Sequence, residues 1–171
     1  MDGSDVAEGA LEIRALRRED LPFLLDVRNE CRNLLHDNRA FTLAESQTWF
    51  AETRPDVRII LLNGAPIGYF RLSNHDSRTR SIYVGADLHP AFRGRGLGRA
   101  VYRRFLPVFA AEFGVTELKL EVLSHNARAR HLYETLGFRE TGRHQGVAVR
   151  DGTRVDSICF TLRCPPSAGD R

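Results

Sequence analysis

The stretch Arg93-Gly94-Arg95-Gly96-Leu97-Gly98 places three glycines and two arginines at the entrance to a segment, Arg99 to Phe113, that reads as helix. Glycine costs stability inside regular structure, so three in six residues call for a reason. A strand before such a turn and a helix after it aim backbone N–H groups at a phosphate. The amides of a first helical turn lack intrahelical acceptors, and the helix dipole adds partial positive charge there. The glycines would let the backbone approach a ligand closely, and Arg93 and Arg95 would add charge-assisted contacts to a pyrophosphate. A Walker loop would need a Gly-Lys-Ser/Thr ending, which this sequence lacks. A dinucleotide fingerprint would need Gly-x-Gly-x-x-Gly early in a parallel βαβ unit. Here the spacing is Gly-x-Gly-x-Gly, in mid-chain, beside a sheet that reads antiparallel.

The elements that must position this turn follow from the pattern on either side. The chain has 171 residues, 42% of them hydrophobic, enough for one domain with a proper core. Leu11 to Arg17 alternates as a strand. Asp20 is placed to cap a helix over 21–34 with Pro22 in its first turn, presenting Leu21, Leu24, Leu25 and Arg28 on one face. Thr42 and Glu45 have capping-box spacing and open a second helix through Trp49 and Phe50, both expected in the core. Asn63-Gly64 and Asp151-Gly152 mark hairpins. Residues 79–88 form a strand in which Gly85 signals a bulge or a close backbone approach. Pro107 is expected to kink or divide the glycine-led helix, 116–123 is a strand, and 126–137 is a helix stopped by Gly137. The order is β-α-α-β-β-β-α-β-α-β-β, an α+β layer structure whose mostly antiparallel sheet should contain a parallel step wherever a helix crosses over.

Charge and cysteine content narrow the function classes. The net charge is +3 and the pI about 9.0, yet Lys119 is the sole lysine among 25 basic residues. The arginines are interspersed with 22 acids, which suits a local anion site and not a long phosphate-tracking surface, so no nucleic-acid partner is expected. Cys31, Cys159 and Cys164 are scattered, without a CxxC pair or a Cys/His cluster, so neither a disulfide framework nor a metal site is expected. No apolar run approaches membrane-span length, and the acidic first nine residues lack the layout of a signal peptide, so a cytoplasmic protein with no membrane association is expected. Residues 1–10 and 164–171 read as loose tails around a domain at 11–163.

With these elements in place, "LHPAFRGRGLGRAVYRRF" resembles the acetyl-coenzyme A signature of the GNAT superfamily of N-acetyltransferases, with Arg93, Gly96 and Gly98 on its defining positions. Downstream, "LEVLSHNARARHLYETLGF" is similar to the second cofactor segment of the same superfamily, carrying Asn126, Tyr133 and the Gly137-Phe138 ending. The resemblance runs from about residue 11 to 163. It implies a single-domain GNAT-like fold with about four helices and a cofactor cleft between two splayed parallel strands, ending near Leu88 and Leu123. A bulge in the first strand would offer the backbone of Ala86, Asp87 and Leu88 to the pantetheine amides. The turn Arg93, Gly94, Arg95, Gly96, Leu97 and Gly98 would hold the pyrophosphate, and Asn126 would hydrogen-bond the pantetheine arm.

The resemblance also implies the chemistry. Acetyl-CoA would be co-substrate, without a metal, and the acetyl group would pass directly to a primary amine, leaving the cysteines no nucleophilic role. Tyr133 stands where the superfamily keeps a tyrosine that protonates the departing thiolate; the alternative is a ring packed in the core. Glu121 stands where some members keep a general base, and is otherwise a strand residue; Asp87, His89 and Asp156 are the alternatives, while His125 and His131 read as surface or cap residues. The segment Val27 to Phe50 has features similar to a branch that acetylates amino sugars, and Arg28, Arg32 and Arg39 would meet an anionic acceptor or form a solvated face. A small-molecule amine such as an amino sugar is therefore the expected acceptor. N-terminal acetylation of a protein such as a ribosomal protein is the same-class alternative, and an inactive acyl-CoA-binding regulatory module the different-class one. A homodimer is left open.

Overall fold

The computed structural model describes residues 10–165. The elements follow the expected order: β1 (Leu11–Ala15), α1 (Leu21–Cys31), α2 (Leu43–Thr53), β2 (Asp56–Leu62), β3 (Ala65–Asp76), β4 (Ser81–Leu88), α3 (Leu97–Phe113), β5 (Glu117–Leu123), α4 (Ala127–Thr135), β6 (Arg139–Arg150) and β7 (Thr153–Arg163). The seven described strands form one sheet in the order β1-β2-β3-β4-β5-β7-β6. The expected tails at 1–9 and 166–171 lie outside the described residues.

The sheet is antiparallel except for the step from β4 to β5, which pair in parallel over Ser81–Tyr83 and Glu117–Lys119. One expectation is corrected here. Helices α1 and α2 lie between β1 and β2, yet these strands pair antiparallel, Leu11 opposite Leu62 and Ala15 opposite Arg58. Two helices in succession return the chain to the end of the sheet it left, whereas α3 alone delivers it to the opposite end.

Two hydrophobic clusters cover the two faces of the sheet. On the α3/α4 face, Phe70 is fully buried and meets Tyr102, Phe105 and Phe109 edge-on, with ring centroids 5.6, 6.0 and 4.9 Å away. Each such ring contributes about 1.5–3 kcal/mol by leaving water. On the other face, α1 buries Leu21, Leu24, Val27 and Cys31 against Ile59 and Tyr69. Val27 and Cys31 complete the buried stripe, not Leu25 and Arg28, because the α-helical repeat carries it on through them.

Local chemistry explains several boundaries. Thr42 and Glu45 form the expected capping box at α2, with Thr42 N–H donating to Glu45 at 2.7 Å. Asn63 and Gly64 both take positive φ (51° and 80°), the geometry of a two-residue hairpin turn. Asp20 makes no side-chain cap on α1. It accepts from Arg14 at 2.6 and 2.8 Å and from the Arg17 amide at 2.8 Å, capping the 3-10 turn before the helix instead. Trp49 is also corrected, being 36% exposed while Phe50 packs on the α1 cluster. Helix α3 runs undivided through Pro107.

Candidate active site

Beyond Tyr83 and Lys119 strands β4 and β5 continue to Leu88 and Leu123 without pairing, and the gap between them opens into a cavity of about 620 Å³. Its walls include the α1–α2 loop, the turn before α3 and one side of α4. The splay replaces the expected bulge. Pairing of β4 with β3 runs without a shift from Tyr83 to Leu88, so β4 itself is regular there. Its outer backbone groups lack a β5 partner there, and side chains reach them instead. The Ala86 N–H turns to that side and donates to the Tyr102 hydroxyl at 3.0 Å, and the Leu88 carbonyl faces the Cys31 thiol at 3.8 Å. Asp87 points its carbonyl at Gly68 on β3, where a Cβ would collide with it. Gly85 fulfils the close-approach expectation, since a Cβ there would sit 3.3 Å from the Arg71 guanidinium.

At one end of the cavity lies the glycine turn. Gly94 and Gly96 take φ of 78° and 73°, a region L-residues avoid, and a Cβ at either would meet nothing within 4 Å. The first intrahelical bond is Ala100 N–H to the Gly96 carbonyl, which leaves the amides of Leu97, Gly98 and Arg99 without helical acceptors. Gly98 has a different role: a Cβ there would lie 3.3 Å from Leu132, so its smallness seats α3 against α4. Leu97 is buried in the core and Arg95 is exposed. The Arg93 guanidinium turns inward to the Cys31 sulfur at 2.7 Å rather than over the turn. Arg93 still lines the cavity, and Arg99 and Arg128 line it too, basic residues that the motif spacing did not single out.

Asn126 caps α4, its side-chain oxygen accepting from the Ala129 amide at 3.2 Å, and lines the cavity. About two turns further, Tyr133 packs its ring among Tyr102, Phe138 and Phe160 at centroid distances of 5.7, 5.9 and 6.0 Å. Its hydroxyl lies 3.5 Å from that of Tyr102. Burial pushes the Tyr133 phenol above its ordinary range, partly offset by the Tyr102 contact. The packed ring and the cavity position therefore coexist in one side chain. Tyr102, which the sequence reading did not single out, joins the β4 backbone to Tyr133 through its hydroxyl.

Glu121 reaches the cavity from β5 with a third of its side chain exposed, and Ser157 on β7 donates to its carboxylate at 3.2 Å. The other candidate bases have partners of their own, although Asp87 also lines the cavity. Asp87 is paired with Arg71 at 3.1 Å, and His89 caps a short turn and meets Asp26 at 3.2 Å. Asp156 accepts from the Gly146 amide at 2.9 Å and pairs with Arg143. His125 bonds the Asn33 carbonyl at 3.0 Å, and His131 lies on the α4 side of the cavity.

The side opposite the glycine turn is closed by long-range contacts. Arg150, at the end of β6, donates to the carbonyls of Asn33, Leu35 and His36 at 3.2, 2.5 and 3.3 Å. Arg28 stacks 4.0 Å over Phe41 and donates to the Arg39 carbonyl, while Arg39 is exposed and pairs with Asp37.

An antiparallel sheet broken at one parallel step, with a glycine turn leading α3 at that gap, is the arrangement that the sequence resemblance implies. The chain belongs to the Acetyltransferase (GNAT) family, whose family model matches residues 14–138. It is 41% identical over 106 residues to the mycothiol acetyltransferase of Beutenbergia cavernae, an alignment covering 58% of this chain and 33% of that protein. The chain thus spans about a third of that relative's length. Among solved structures, the spermidine N-acetyltransferase from Vibrio cholerae in complex with CoA and spermine superposes with a TM-score of 0.83 at 22% identity, covering 91% of this chain and 96% of that one. The ribosomal-protein-alanine N-acetyltransferase from Brucella melitensis gives 0.74 at 21% identity, covering 90% and 99%. Among the described residues no helix is long and apolar enough to cross a membrane.

Proposed function

We propose that this chain transfers an acetyl group from acetyl-CoA directly to the primary amine of a small molecule, an amino sugar being the leading class. The observation that carries the reading is the gap between β4 and β5, with a phosphate-suited turn at one end and Tyr133 and Glu121 on its walls. The residues fit the co-substrate: Gly94 and Gly96 leave open space above amides that lack acceptors, and Arg99 and Arg128 supply positive charge nearby.

When bound, acetyl-CoA supplies an activated acetyl thioester. Asn126 and the splayed edge of β4 at Ala86 and Leu88 would bind and orient its pantetheine arm in place of the Tyr102 and Cys31 contacts, and the turn from Arg93 to Gly98 its pyrophosphate. Glu121 would take a proton from the incoming ammonium at its carboxylate, making the amine nucleophilic. Tyr133 would hold a proton on its phenolic oxygen until the departing sulfur needs it. Burial keeps that phenol protonated at neutral pH, and the same surroundings raise the proton affinity of a thiolate.

The acceptor side supports a small molecule over a protein terminus, because Arg150 and His125 tie the α1–α2 loop down across it. The name of the mycothiol acetyltransferase relative points the same way. Thiol release from acetyl-CoA, measured across amino sugars, polyamines and ribosomal-protein N-terminal peptides, tests the reading. Turnover should appear with a small amine. Preference for the peptides would establish the protein-terminus alternative, and tight acetyl-CoA binding with no release would establish the inactive regulatory module.

A further inference from the structure

Behind Glu121 lies a second pair of polar side chains that the sequence reading passed over. Ser157 is 1% exposed and bonds the Glu121 carboxylate at 3.2 Å. On its other side the same hydroxyl oxygen meets Nε2 of His36 at 2.8 Å. The imidazole is itself 3.8 Å from the carboxylate, and 44% of its side chain is exposed. Three elements far apart in sequence therefore converge: the α1–α2 loop, β5 and β7. A buried hydroxyl needs one partner, and Glu121 supplies it; the contact with His36 goes beyond that need.

The direction of the hydrogens follows from counting them. Serine has a single hydroxyl hydrogen, and beside an ionised carboxylate it points to the carboxylate. A 2.8 Å approach of His36 to the same oxygen then requires the hydrogen to sit on Nε2. We propose that His36 and Ser157 are positioning residues for the Glu121 carboxylate, forming a string from His36 Nε2–H to Ser157 Oγ–H to Glu121 Oε2 that orients the base. The proposal rests on the reading of Glu121 as base.

The loop carrying His36 is built for this placement. It lacks strand or helix at residue 36, yet Arg150 grips the carbonyls of Leu35 and His36, and His125 grips that of Asn33. The groups facing His36 are Glu121 from β5, Arg71 from β3 and Arg150 from β6. Those facing Glu121 besides are Tyr83 from β4, Cys159 from β7 at 3.8 Å, and His144 from β6. Burial lowers the His36 imidazole from its ordinary value, with Glu121 opposing, so at neutral pH it is neutral and one nitrogen carries the hydrogen. In acid it becomes a cation beside Glu121. The carboxylate is then drawn toward the imidazolium and away from an incoming amine.

The test has two arms on the full chain. In the first, nitrogen chemical shifts of the imidazole are measured at neutral pH without any acceptor. A hydrogen on His36 Nε2 is expected, redistributed between the two nitrogens in Ser157→Ala; an unprotonated Nε2 in the parent overturns the string. In the second, acetylation of glucosamine is followed against pH. His36→Ala and Ser157→Ala should each lower kcat about tenfold, less than the roughly 10²–10⁴-fold of a direct acid or base because they act through Glu121, with KM for acetyl-CoA unchanged. His36→Gln keeps an N–H donor and should recover most of the loss, while the acid limb due to imidazole protonation disappears. Parental kcat and pH profile in His36→Ala, with Glu121→Gln impaired, overturn the string and leave Glu121 as base. Parental kcat in Glu121→Gln removes the base reading itself. If the parent does not acetylate glucosamine, the amino-sugar reading fails and the imidazole shifts decide the string.

Discussion

The two halves of the cavity are built in opposite ways. The half around the glycine turn is made by neighbours in sequence: β4, the turn, α3, β5 and α4 follow one another, and most of the groups that line it are backbone amides or helix caps. The half around Glu121 is made by distant segments, with His36, Glu121, Arg150 and Ser157 meeting across as many as 121 positions. A site made of backbone geometry tolerates changes in side chains but not in φ. A site made of side chains held by other side chains tolerates the reverse.

Substitution of Gly96 should break the first half most severely. Gly96→Val puts a β-branched residue at φ 73°, at a cost of at least about 2 kcal/mol locally, and projects a Cβ into the open space over the turn. Acetyl-CoA affinity measured by calorimetry should fall at least about 30-fold in a folded protein, a fold-change matching that cost. Unchanged affinity removes the phosphate assignment. Gly98→Val is a different experiment, since its side chain meets Leu132; it should lower the melting temperature as well.

Next in size is the acid. Tyr133→Phe keeps the ring among Tyr102, Phe138 and Phe160 and removes one hydroxyl contact of 3.5 Å. Turnover should fall at least about tenfold while acetyl-CoA affinity barely moves. A lowered melting temperature with full turnover would make Tyr133 a core residue.

A smaller effect should separate the halves cleanly. Arg150→Ala releases the carbonyls of Leu35 and His36 and loosens the acceptor side alone. KM for the amine should rise about three- to tenfold, the loss of roughly one charge-assisted hydrogen bond's support, with acetyl-CoA affinity unaltered. An equal loss of acetyl-CoA binding would show the two halves to be one unit.

A test of a different kind, of reactivity rather than of substitution, concerns Cys31. Burial pushes its thiol up to about 11, above the ordinary value, so the thiolate forms only in alkaline solution. Alkylation at neutral pH should be roughly 300-fold slower than for a free cysteine of pKa near 8.5, and should speed up as pH rises. Rapid labelling at neutral pH would reopen a nucleophilic role.

What could be read in advance divides along the same line. The element order, both hairpin turns, the α2 capping box, the glycine turn and the Asn126 cap rest on residues within a few positions of one another. Each is visible to local pattern. The same locality explains the misreadings. Asp20 has the type and place of a helix cap, but Arg14, reached across the β1–α1 corner, takes its carboxylate. Trp49 has the look of core, but α2 turns it to the edge.

The sequence by itself determined the family, the phosphate-suited turn and the types of group available for acid and base work. These depend on φ preferences, helix ends and short spacings, all properties of the chain near each residue. Only the tertiary structure decided that β4 stays regular while β5 diverges, that Tyr102 bridges Ala86 and Tyr133, and that Ser157 and His36 stand behind Glu121. Those outcomes depend on which faces of the sheet bury which helices. Side chains brought together by burial leave no periodicity or spacing in the chain that carries them.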